Sequence, residues 1–118
     1  MSPELRFFGI ATGNKMPDKF ERTGYHAVKS DKVHAPIIEE FPVVMECELL
    51  EFLKTEHVSG IVGKIVNVKA EEKVLSEDGK VDPVKLKALT FDQFQNVYYT
   101  TGKKVAQAWN AGAELMKK

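Results

Sequence analysis

The sequence predicts an α+β domain built mainly from antiparallel strands, with a sheet too small to close a barrel on its own. Three observations carry that reading. Residues 43–53 alternate, with Val43, Met45, Cys47 and Leu49 on one face and Val44, Glu46 and Glu48 on the other. Residues 57–69 form a second apolar-rich run (Val58, Ile61, Val62, Ile65, Val66, Val68), separated from the first by a short polar link. Residues 103–116 carry Val105, Ala108, Trp109, Gly112, Leu115 and Met116 at helical spacing.

The remaining elements follow in chain order. Ser2-Pro3-Glu4 reads as a helix cap, a proline at the first helical position and an early acid, with Gly9 and Gly13 limiting the helix to a turn or two. A helix that short is marginal in water unless it docks on something. Gly13 to Pro17 is turn chemistry, and a short helical segment over 18–23 is stopped by Gly24. Residues 25–40 are extended, with Pro36 and Pro42 bracketing 37–41. In the first long strand the alternation breaks at Leu49-Leu50, which calls for a bulge or for cover on both faces.

Lys54-Thr55-Glu56 is a hairpin link, and Gly60 and Gly63 in the second strand predict a bend or a close approach. A third short strand is expected over 71–75, then a turn at Glu77-Asp78-Gly79-Lys80. Asp82-Pro83 caps a helix to about Leu89, and 90–101 is aromatic-rich and irregular. Gly112 costs the last helix about 1 kcal/mol against alanine and marks a kink or a close contact.

Bulk properties narrow the function. The 118 residues suit one domain, and 17 basic residues balance 17 acidic ones. No global field therefore draws the chain to nucleic acid or an anionic membrane. The single cysteine, Cys47, excludes an intrachain disulfide and a multi-cysteine metal site, and its apolar setting suits a buried small hydrophobe. No apolar run approaches the roughly 18 residues of a membrane helix, and the first residues do not read as a signal peptide. A cytoplasmic location is the expectation.

Four stretches in order carry a resemblance: GIATGNKMPDKFERTG, VHAPIIEEFPVVMECELLE, VGKIVNVKAEEKVLSEDGKVDPVKL and TFDQFQNVYYTTGKKVAQAW. They resemble, in turn, a hydroxyl-glycine loop before D-K-F and T-G, an A-P-x-I-x-E-x-P entry into a strand with E-C, a G-x-I-V-N-V strand, and a Y-Y-x-x-G-x-x-V ending. Together they are similar to the flavin reductase-like (flavoredoxin) family of FMN-binding split barrels.

The resemblance implies a flavoprotein that passes electrons between NAD(P)H or a protein donor and FMN, working as a homodimer, with a redox protein as a further partner. It also implies several strands ahead of GIATG that are missing here. Residues 1–118 are accordingly expected to be one partial domain, an incomplete split β-barrel with short flanking helices and a C-terminal helix. The alternative is a structural or oligomerising half-domain that holds flavin weakly or not at all.

Candidate site residues follow from both lines. Thr12, Gly13, Asn14 and Lys15 form a turn that offers N–H groups, a hydroxyl and an ammonium to a phosphate, although spacing alone also suits an ordinary solvated turn. Lys19, in the matching D-K-F, is implicated as a flavin contact by the resemblance. Phe91, Tyr98, Tyr99 and Trp109, with Phe94, form either an aromatic wall for the flavin ring or a core cluster. The family ending points to one of Tyr98 and Tyr99.

His57, at the expected start of the second strand, is the first catalytic candidate, as a hydrogen-bond donor to reduced flavin or nicotinamide; the plain alternative is an exposed histidine. Glu46 and Glu48 read as solvent-facing. His26 and His34 have no cluster around them, so no metal site is expected.

Overall fold

The computed structural model describes Phe8, Ile10 and residues 12–118. Three antiparallel hairpins follow one another. Strands β1 (Ala27–Lys29) and β2 (Pro36–Ile38) form the first, β3 (Val43–Lys54) and β4 (Ser59–Ala70) a long ribbon, and β5 (Leu89–Asp92) and β6 (Val97–Thr100) the last. Among the described residues each sheet has two strands and none is closed. The expected helix cap at Ser2-Pro3-Glu4 lies outside the described residues.

The early turn behaves as its residues demand. Residues 18–23 end in a 3₁₀ turn, Glu21–Thr23, and Gly24 adopts φ 70°, donating its N–H to the Glu21 carbonyl. Left-handed backbone at that point suits glycine. The extended stretch that follows pairs with itself, setting Ala27 opposite Ile38 and Lys29 opposite Pro36.

The ribbon explains the broken alternation at Leu49-Leu50. Register partners run Met45–Val68 and Glu46–Asn67, then shift so that Cys47 faces Ile65 and Val66 is skipped. A second shift at Leu50 takes the pairing from Leu49–Gly63 to Glu51–Val62 and Phe52–Ile61. Directly paired residues share a face. The two irregularities therefore keep Met45, Cys47, Leu49 and Phe52 in line with Val68, Ile65 and Ile61, while Glu46, Glu48 and Glu51 fall opposite with Asn67 and Lys64. A bulge preserves the phase of an amphipathic ribbon here. Gly63 has only ordinary neighbours, an added Cβ standing 3.5 Å from Cys47 Cβ, and nothing lies within 4 Å of one at Gly60.

Several expectations need correction. Residues 71–75 are not a strand: Glu72–Val74 is a 3₁₀ turn, and only Leu75 bridges to Val81. The helix capped by Asp82, α1 (Pro83–Leu86), stops early because Lys87 turns left-handed at φ 54°. The segment read as irregular, 90–101, is the β5–β6 hairpin, its turn closed by Asp92 accepting from the Phe94 N–H at 2.9 Å and by Asn96 at φ 57°.

The expected C-terminal helix is replaced by turns and a 3₁₀ segment, Ala113–Lys117, with Gly112 at φ 85°. Its apolar stripe is open to solvent, including Val105, Leu115 and Met116. A helical stripe with no surface to bury against lacks the packing that stabilises most protein helices. Cys47, expected to be buried, is exposed on the ribbon for the same reason. Among the described residues Val74, 3 % exposed, is the one buried hydrophobic side chain.

Candidate functional site

The base of the ribbon is where the described side chains converge most tightly. Glu46, read as solvent-facing, is only 2 % exposed. Its carboxylate accepts the Lys32 backbone N–H at 2.8 Å and the Asn67 amide from the opposite strand. The Lys32 amide, then Asn67, with smaller help from the Asp31 and Val33 amides, holds this carboxyl below the ordinary carboxylate range. Asp31 in the same loop pairs with Lys69 of β4 at 2.8 Å, and Ser30 Oγ donates to the Val33 carbonyl. The 30–33 loop is thus fastened to the polar face of the ribbon.

An open cavity of about 460 Å³ lies beside that junction, lined by Val33, Ile37, Phe41 and the first residues of β3. A second opening, about 410 Å³, separates Phe41 to Val43 from Leu86 to Leu89 and Thr100.

The turn from Thr12 to Lys15 is present and exposed. Thr12 accepts the Met16 N–H on its carbonyl at 3.0 Å and the Lys15 N–H on its Oγ1 at 3.3 Å. Gly13 and Asn14 form its tip. Lys19 stands beside an aromatic group: its Nζ donates to the Phe8 carbonyl at 2.8 Å and lies 5.5 Å from the Phe8 ring centre. That ring is 6.5 Å from Phe20 and 6.2 Å from Tyr25, and Tyr25 meets Phe41 edge-on at 5.8 Å. Sequence reasoning missed this run of rings, because its members come from separate short segments with no shared period.

The later aromatic residues divide. Phe91 and Tyr98 are register partners with ring centres 5.4 Å apart. Tyr99 pairs with Thr90, so it faces the other side of the hairpin, and its hydroxyl accepts from Gln95 at 3.1 Å. Alternation alone thus dictates that one tyrosine of the pair shares a surface with Phe91. Phe94 sits fully exposed on the hairpin turn, and Trp109, 99 % exposed at φ 69°, stands apart on the tail.

His57 lies in the link Thr55–Val58, where the Thr55 N–H meets the Val58 carbonyl at 2.8 Å, rather than at the start of β4. Its side chain is 84 % exposed, with Nε2 3.8 Å from the Glu56 carboxylate. Twelve strand residues, roughly 40 Å, separate it from Val43 at the ribbon base. The structure therefore gathers Phe91 with Tyr98, and Thr12 with Lys15, but leaves His57 and Trp109 away from both.

Away from these groups, His26 Nδ1 sits 2.5 Å from Glu40. The carboxylate raises the histidine above its usual value, and the His26 amide and ring lower Glu40. Among the described residues no three His, Cys, Asp or Glu side chains cluster as metal ligands, and no helix is long and apolar enough to cross a membrane.

The comparisons with known proteins agree with one another. Residues 2–102 match the family model described as the flavin reductase like domain. Flavoredoxin of Desulfovibrio vulgaris (Miyazaki F) is 33% identical at a TM-score of 0.81, over 92% of this chain and 57% of that one. Flavoredoxin from Methanosarcina acetivorans is 26% identical at a TM-score of 0.81, over 97% of this chain and 59% of its own. A candidate flavin reductase with a split barrel domain from Shewanella frigidimarina, 22% identical over 77% of this chain and 46% of its own, shares the fold at a TM-score of 0.64. No curated protein matches the sequence. The 118 residues thus span under three-fifths of the flavoredoxins they resemble. With a family model covering most of its length, the chain belongs to the flavin reductase-like domain family.

Proposed function

We propose that this chain forms part of an FMN-binding flavoprotein that carries electrons between a reduced nicotinamide, or a redox protein, and flavin. The observation that carries the reading is the family match over residues 2–102, joined to the flavoredoxin folds at a TM-score of 0.81. Both named flavoredoxins, and the fold they share with this chain, support flavin as the ligand.

The residues fit such a group in part. A flavin needs phosphate donors and a flat surface for its ring system. The Thr12–Lys15 turn supplies an exposed hydroxyl, N–H groups and an ammonium. Lys19, held against Phe8, brings a second cation beside that turn's segment. Phe91 with Tyr98, both about half exposed, offers an aromatic surface, and Tyr99 faces the other way. Flavin, when bound, supplies hydride and single-electron chemistry. The chain's own work is to hold the phosphate, cover one ring face and limit water there.

His57 is proposed as a hydrogen-bond donor to reduced flavin or to a nicotinamide. Its place at the ribbon tip requires another part of the assembled protein to approach that tip. A homodimer, one of the expectations from the family, is a way to bring such a surface close. A cytoplasmic location belongs to the same proposal.

A second reading is favoured by one observation: the hairpins expose apolar rings and aliphatic side chains instead of sharing a core. On that reading residues 1–118 are a partial domain that serves assembly and holds flavin weakly or not at all. Titration of the purified chain with FMN, followed by flavin fluorescence, separates the two. Saturable quenching is expected, with Lys19→Ala weakening it roughly tenfold by loss of a charge-assisted contact. Absence of saturable binding rejects the flavoprotein reading. His57→Ala is expected to slow hydride transfer while leaving FMN affinity near wild type; an unchanged rate removes His57 from the site.

A further inference from the structure

The β1–β2 hairpin is fastened at its two ends by two carboxylates with different kinds of partner. Only three residue pairs join its strands, Ala27 with Ile38, Val28 with Ile37 and Lys29 with Pro36. A two-stranded hairpin that short has little stability of its own in water. What holds its ends therefore decides how it sits.

At the loop end, both ties run to the ribbon. Glu46 of β3 accepts the Lys32 N–H at 2.8 Å, and Asp31 pairs with Lys69 of β4 at 2.8 Å. The Lys32 amide, then Asn67, lowers Glu46 from its ordinary 4.5, and Asp31 raises Lys69 from its ordinary 10.5. The Glu46 carboxylate and the Lys69 ammonium therefore keep their charges across the neutral range.

The open end is closed by a histidine instead. The His26 N–H donates to both oxygens of Glu40, at 3.1 and 3.0 Å, and ring Nδ1 lies 2.5 Å from Oε1. The Glu39 N–H in turn donates to the His26 carbonyl at 2.9 Å. Immediately outside this clasp Tyr25 meets Phe41 edge-on at 5.8 Å, and Tyr25 lies 6.2 Å from Phe8. The clasp thus stands between the strand pairing and the run of rings.

Protonated His26 gives Glu40 a charge-assisted bond, roughly twice as strong as a neutral one. Glu40, and more weakly Glu39, are the charged groups that raise the ring's value among the described residues. Loss of the proton leaves a neutral Nδ1–H donor or, in the other tautomer, a lone pair facing the carboxylate. The hold on Glu40 weakens in the first case and becomes repulsion in the second.

We propose that the β1–β2 hairpin is a proton-dependent latch. Its loop stays hinged on Glu46 and Lys69, while loss of the His26 proton to water frees the open end and parts Tyr25 from Phe41. Because the His26 value is raised, the latch is fully closed at 6.5 and opens as pH rises through the folded value. On the acid side it stays closed until Glu40 itself is protonated, below 4.5. The rings carry the change to Phe8, over which Lys19 Nζ sits at 5.5 Å. This inference concerns the fold and holds whether or not flavin binds.

NMR titration of the full chain from pH 5 to 9, in flavin-free buffer, tests it. The His26 ring is expected to titrate with a midpoint above 6.5. The Ala27 and Glu39 amides and the ring protons of Tyr25 and Phe41 should shift with that midpoint. Protection of the Glu39 N–H should fall roughly tenfold, whereas the Lys32 amide and the Asn67 side-chain amide should not move. Glu40→Gln, which keeps an acceptor and removes the charge, should return His26 to its ordinary range and abolish the linked shifts. His34→Gln should leave them in place. A His26 midpoint at or below 6.5, rings of Tyr25 and Phe41 that ignore it, or a Lys32 amide that moves with it each overturns the proposal. Linked shifts that survive Glu40→Gln, or vanish in His34→Gln, do the same, and the unmodified chain decides alone if a variant fails to fold.

Discussion

The two ends of the β3–β4 ribbon obey the same alternation and meet different fates. At the base, Glu46 is buried by the 30–33 loop, which surrounds its carboxylate with N–H groups while Lys69 holds Asp31. Toward the tip, Leu49, Phe52 and Ile61 remain in solvent and His57 hangs from the turn. A carboxylate is thus more deeply buried than the aliphatic residues a few positions away. Polar groups can be satisfied locally, by a neighbouring loop of the same chain. Apolar faces need area, and the described part of this chain does not provide it.

The largest effect that would break this comparison comes from Glu46→Ala. It strips an acceptor from part-buried N–H groups, and leaving such groups unpaired is costly. The amides of Asp31 to Val33 should then exchange roughly tenfold faster or more, measured by hydrogen-exchange mass spectrometry. Unchanged protection would show that the loop is held by something other than the carboxylate.

Acid should reproduce part of that loss. The folded-state value of Glu46 lies below its ordinary 4.5, so its contribution is present above pH 4.5 and disappears as pH falls through the lowered folded value. His26 and Glu40 bracket the same window from both sides. The raised His26 value means that its contribution is complete below 6.5 and is lost as pH rises through the folded value, while Glu40 loses its share below 4.5. Thermal midpoints measured between pH 3 and 8 should therefore peak between these limits if the two sites dominate. His26→Ala should flatten the alkaline shoulder and, because the ring also lowers Glu40, weaken part of the acid one.

Smaller effects sharpen the contrast. Asp82 accepts from the Val84 N–H at 2.8 Å and the Lys85 N–H at 3.2 Å, so Asp82→Ala should cost about 1 kcal/mol in chemical denaturation. Leu49→Lys, in the chain alone, should change stability by no more than about 0.5 kcal/mol, because the side chain it replaces is already in water. A loss of several kcal/mol on that substitution would mean that the ribbon face is covered in solution.

Much of the fold was legible where strand and turn rules act locally. The two ribbon strands, the interruption at Leu50, the turn at Gly79 and the caps at Gly24 and Asp82 follow from residue type and spacing. The tail was misread because a helical stripe predicts a helix only when a surface awaits it, and no sequence rule says whether one does. Glu46 was misread because an acid on an alternating strand looks solvated; the loop that buries it lies fourteen residues away in sequence. The turn at Thr12 could be placed from its glycine and hydroxyl, whereas the rings of Phe8, Phe20, Tyr25 and Phe41 meet only through tertiary contacts.

Residue-resolved hydrogen exchange of the unmodified chain at pH 7 tests the contrast most directly. Slow exchange at Asp31 to Val33 and at Val43 to Glu46, with near-unprotected amides from Phe52 through Ile61, is the predicted result. Uniform protection along the whole ribbon, or none at its base, would contradict it.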